Sequence, residues 1–199
     1  GDKIKAYNEL KKIFNKNKSD LNVLYNLSYM SEILNYKDEA IKGYTFILKK
    51  KPGDWNASLN LYLIYIKNNK LDDALVLVRS LLNIKPNFYQ GLRDLAFILL
   101  EKNKFNEAYK NINLAINIKS DDYFAFNIRG LIEMKLNKIN NSIISFNNSI
   151  KINPKDPSCY NNLGKSYQEL GDIIIAFKNY KKSYKLDKNY APALINIAN

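Results

Sequence analysis

The nucleophiles, general bases and metal ligands from which most active sites are built are nearly missing from this chain. Its 199 residues include no histidine and a single cysteine, Cys159. Ser-His-Asp and Cys-His catalysis, histidine metal centres and zinc clusters all fall away, and with them the prospect of an enzyme within this segment. No metal site and no cofactor are expected. One cysteine cannot close an intramolecular disulfide, so it argues neither for nor against an oxidising compartment.

Asparagine, tyrosine and lysine are the polar side chains in supply. Lysine and arginine total 31 against 19 acids, a net charge of +12, and 28 of the bases are lysine. A charge of this size raises polyanions as partners. Lysine comes here with an excess of asparagine, isoleucine and tyrosine, the residues of A- and T-rich codons, so genome composition accounts for much of it. No apolar run approaches the roughly 20 residues that a bilayer span needs. The start, Gly1-Asp2-Lys3-Ile4-Lys5, leads into an amphipathic pattern instead of a signal sequence.

The elements that position these side chains follow from an internal repeat. Ala6, Ala40, Ala74 and Ala108 are 34 residues apart, the next step meets Ser142 and the one after it Ala176, with no insertion or deletion. Pro52, Pro86 and Pro154 stand twelve residues beyond three of these small residues, as helix stops. Five repeats result, 21–54, 55–88, 89–122, 123–156 and 157–190, with half a repeat at 1–20 and the start of another at 191–199. Each reads as two helices. In 89–122, Leu92, Leu95, Ala96 and Leu99 form one helical stripe, and Phe105, Ala108, Ile112, Ala115 and Ile116 a second, joined by the short polar turn Lys102-Asn103-Lys104. Small residues recur where backbones must approach closely (Ala74, Ala108, Gly130, Gly164), with Tyr44, Val78, Ile112, Phe146 and Tyr180 filling the volume beside them.

In these features the chain resembles the tetratricopeptide repeat family over its whole length. Repeat 157–190 is the most faithful copy, with Tyr160, Leu163-Gly164, Tyr167, Gly171-Asp172, Ala176, Tyr180 and Ser183 in the family's columns. Arg129 in place of leucine and Ser142 in place of alanine are local departures. The resemblance implies an all-α fold, a right-handed α-solenoid of antiparallel helix pairs with a strict 34-residue repeat, in which first helices line a concave groove and second helices form the back. It also implies a partner: a protein or peptide segment held in the groove by a scaffold or adaptor. The alternative is the substrate-recruiting arm of an enzyme whose catalytic domain lies outside these residues. Because 1–20 reads as a second helix without its partner and 191–199 as a first helix cut off, the segment is expected to be part of a longer protein.

In the family the groove is lined mainly by positions 2, 5, 9, 12 and 13 of each repeat. Candidate groove residues are therefore Tyr25 and Tyr29; Leu59, Leu63 and Ile66; Arg93, Phe97 and Leu100; Phe124, Asn127, Leu131 and Met134; and Asn161 and Lys165. Position 6 carries Asn26, Asn60, Asn162 and Asn196, resembling the asparagine row with which the repeat arm of the O-linked N-acetylglucosamine transferases holds a peptide backbone; Asp94 and Ile128 break the row. Capture of a chaperone tail is not supported, because no three consecutive repeats carry its lysine and asparagine pattern. The first-helix spans hold five bases and five acids, so all of the excess positive charge lies on second helices and connectors. A neutral groove disfavours nucleic acid there. Ile174 and Ile175 stand where other repeats have Asp38-Glu39 or Asp72-Asp73, and so mark a possible second contact. Cys159 shares a small-residue column with Ala57, Gly91 and Ala125 and reads as buried filler.

Overall fold

The computed structural model describes residues 2–198. Among them are twelve α-helices, with no strand. They fall into two compact units, residues 1–86 and 87–199. The first contains α1 (Asp2–Lys16), α2 (Leu21–Ile33), α3 (Lys37–Lys50), α4 (Trp55–Lys67) and α5 (Leu71–Ile84). The second contains α6 (Tyr89–Glu101), α7 (Phe105–Ile118), α8 (Tyr123–Lys135), α9 (Ile139–Ile152), α10 (Pro157–Glu169), α11 (Ile173–Leu186) and α12 (Ala191–Ala198). Within each unit every helix packs on its neighbour in the chain, and in the second unit α8 also touches α6 and α10 directly. This is the helix-pair stacking of an α-solenoid.

Short polar side chains start the first helices. The carboxylates of Asp20, Asp54, Asp122 and Asp156 accept hydrogen bonds from the opening amides of α2, α4, α8 and α10, which otherwise lack partners. The first helices end as regularly. Asn35, Asn69, Asn103, Asn137 and Gly171, all at position 15 of their repeats, have φ of 62°, 54°, 57°, 57° and 85°. Each is followed by an amide that bonds back five residues, as Lys104 N does to Leu99 O at 2.8 Å. That is the left-handed C-terminal turn that asparagine and glycine alone tolerate well. Asn103→Val is expected to cost about 1–2 kcal/mol and Asn103→Gly almost nothing, read as the shift in a urea midpoint.

The core is set by two facing columns. Ala40, Ala74, Ala108, Ser142 and Ala176 are buried on the second helices. Positions 8 and 24 of each repeat are buried together, and their sizes compensate: Ser28 with Tyr44, Tyr62 with Val78, Ala96 with Ile112, Gly130 with Phe146, Gly164 with Tyr180. The two glycines are steric necessities. A Cβ on Gly130 would lie 2.5 Å from the Phe146 ring, and one on Gly164 would lie 2.6 Å from the Tyr180 ring. Cys159 is fully buried, its Sγ 2.9 Å from Ser149 Oγ, and burial pushes its thiol up to about 11. A thiol so held is inert.

Candidate functional site

In the first unit the candidate residues come from α2 and α4. Asn60 donates through Nδ2 to the hydroxyls of Tyr25 and Tyr44, each at 3.0 Å, and the two tyrosine rings lie 5.7 Å apart. One turn beyond Tyr25, Tyr29 is 48% exposed, with Leu63 half-buried on α4. A further turn on, Lys67 and Glu32 form an ion pair at 3.5 Å. The faces of α2 and α4 are thus joined at positions 5–6 and again at 12–13. Between these ties the apolar ninth position is left open. Leu59 and Ile66 are half-buried, and Asn26 is exposed.

In the second unit the same columns lie on α6, α8, α10 and α12. Asn162 Nδ2 donates to Asn127 Oδ1 at 3.0 Å, and Asn196 Nδ2 to Asn161 Oδ1 at 2.8 Å. Position 5 of one repeat therefore meets position 6 of the next, as Tyr25 meets Asn60. This spacing of 35 is one more than the 34-residue repeat. Three asparagines of the proposed peptide-binding row spend an amide donor on joining first helices, and Asn127, Asn161 and Asn162 are buried in doing so. Leu100 is buried as well. Phe97, Leu131 and Met134 are half-buried, while Phe124 and Lys165 are exposed.

Ile128 offers no amide at position 6, and Arg93 is tied differently. Its guanidinium bonds Asp94 Oδ1 at 2.9 and 3.0 Å and Asp122 Oδ2 at 3.0 Å, and lies over the rings of Tyr89 and Phe124. Tyr89 also donates to Asp122. Burial works to raise the Asp122 carboxyl, but the bonds from Tyr89, Arg93 and the Phe124 amide hold it below its ordinary value near 3.8. A lowered carboxylate favours the folded state above that ordinary value, and the contribution is lost as pH falls below it and through the carboxyl's lower folded-state value. Asp122→Asn is expected to cost about 1–2 kcal/mol at neutral pH, with the gap to wild type closing under acid; denaturation curves at several pH values will read it. Glu133 acts in the opposite direction. Burial raises it above 4.5 against the pull of Ser145 and Arg129, so its charge opposes folding at neutral pH and acidification relieves it.

No group of three or more potential metal ligands occurs among the described residues, and no described helix is long and apolar enough to cross a membrane. Ile174 and Ile175 stand exposed at the start of α11.

Residues 130–171 match the family model of the TPR repeat, and residues 157–190 that of the tetratricopeptide repeat. No curated protein matches the sequence. Among solved structures, MamA from Desulfovibrio magneticus RS-1, residues 41 to the end, aligns with a TM-score of 0.79 at 14% identity, over 86% of this chain and 97% of that one. YrrB, a TPR protein with an unusual peptide-binding site, aligns at 0.77 and 16% identity over 94% and 96%. A tetratricopeptide repeat protein from Parabacteroides merdae ATCC 43184 aligns at 0.71 and 16% over 100% and 92%. The fold is that of the all-α helix-pair solenoids. Residues 130–190 carry tetratricopeptide repeats, and the chain as a whole has the fold of the solved proteins built from them.

Proposed function

We propose that this protein is an interaction scaffold whose first-helix faces hold a peptide or helix of a partner protein. The observation that carries the reading is the ninth position. Tyr29 and Leu63 in the first unit, and Phe97 and Leu131 in the second, stay half-exposed or exposed while the columns beside them are closed by hydrogen bonds and an ion pair. Large apolar side chains left at the surface in a repeated pattern mark a docking surface more often than an accident. Phe124, 38% exposed, adds an aromatic anchor whose other flank is covered by Arg93. Tyr29, Leu63, Phe97, Leu131 and Phe124 supply the apolar contacts, and Asn26 and Lys165 offer polar ones. YrrB, of like fold, has a peptide-binding site, which supports the same use of the fold here. The test removes Tyr29 and Phe97 together and compares partner capture with folding.

A further inference from the structure

On the side of the second unit made by second helices, a hollow of about 570 Å³ lies between α10 and α11 and reaches Asn147 on α9. Tyr160, Leu163, Tyr167 and Ile175 give it an apolar lining. Lys178, Lys181, Lys182 and Lys185 surround it. Residues 173–186 of α11 contain these four lysines and no acid. Among the described residues none of the four is paired with a carboxylate; Lys182 lies over the Tyr160 ring at 5.8 Å and Lys181 over Phe177 at 4.4 Å. At one end the apolar surface continues onto Ile174, 88% exposed, and Ile173.

We infer that this hollow binds an acidic segment of a partner protein, one aromatic or branched side chain entering the hollow and flanking carboxylates meeting the lysines. The lysines run along about 10 Å of helix, from the 1.5 Å rise per residue, which suits about two turns of a helix or a few extended residues. Unpaired cations around an apolar floor are complementary to alternating acidic and hydrophobic side chains, and the charges set approach and register. A recessed floor favours an inserted side chain over a flat bilayer, and its aliphatic members favour a hydrophobic side chain over a nucleobase. The site is separate from the first-helix faces and does not depend on their function.

The probe is a fluorescein-labelled peptide of glutamates carrying one phenylalanine and one leucine, titrated at physiological salt and read by anisotropy. Saturable binding is expected, weakened about tenfold or more both by Lys181→Glu with Lys182→Glu and by Ile175→Ser. These side chains are exposed, so circular dichroism and melting should match wild type, and Tyr29→Ala should leave the affinity unchanged. Four results would overturn the inference: no saturable binding, equal binding of an all-glutamate peptide, undiminished binding by folded variants, or tighter binding of phosphatidylserine vesicles or polyuridine than of the peptide.

Discussion

Gly130→Leu is expected to cost about 3 kcal/mol or more, the upper end of what overpacking a core does. The first added carbon would sit 2.5 Å from Cε1 of Phe146 and 2.7 Å from Cδ1 and Cζ, and that ring is fully buried. It has no free end to swing away. Gly130→Ala tests the same contact more finely, because alanine gains roughly 1 kcal/mol of helix propensity against the clash. Phe146→Ile should then relieve it, since the pair so made is the Ala96 and Ile112 pair of the preceding repeat. A double-mutant cycle by chemical denaturation should give a favourable coupling of about 1 kcal/mol or more. Additive effects would mean that positions 8 and 24 do not constrain one another.

How far the sequence could be read depended on whether a feature repeats on its own or needs a neighbour. The 34-residue spacing of Ala40, Ala74 and Ala108 and the stripes of 89–122 reveal helix pairs, because a helix face is a property of consecutive residues. Burial of Cys159 follows from its small column. Position 15 was visible only as a polar turn: Asn35, Asn69, Asn103, Asn137 and Gly171 look alike once backbone φ is known, since asparagine hides there among many other asparagines. The asparagine row is the plainest divergence. Its members recur every 34 residues, but their partners lie 35 away, in a column occupied by Tyr25, Asn127 and Asn161. Which donor meets which acceptor depends on the stagger of adjacent first helices, and no single repeat records that stagger. Leu100 was buried for the same reason: its cover comes from another helix.

Partner binding is the second large effect. Truncating an aromatic anchor at the centre of an interface costs about 2 kcal/mol or more, which weakens a micromolar affinity roughly thirtyfold. Tyr29 and Phe97 are the aromatic members of the ninth column, one in each unit. Tyr29 is 48% exposed and Phe97 only half-buried, so their removal takes little from the packing that Tyr44, Ala96 and Ile112 provide. Arg93 is a poorer choice for this test, because its loss would take a charged partner from both Asp94 and Asp122 and confuse binding with stability.

The most direct measurement is therefore affinity capture with identification of the bound proteins, run in parallel on wild type and on Tyr29→Ala with Phe97→Ala, each with a melting curve. The scaffold reading predicts near-identical helicity and melting, with the specific partner of the wild type gone from the variant. An unfolded variant would show that the ninth column belongs to the core, and a folded variant that still holds the same partner would show that the first-helix faces do not bind it.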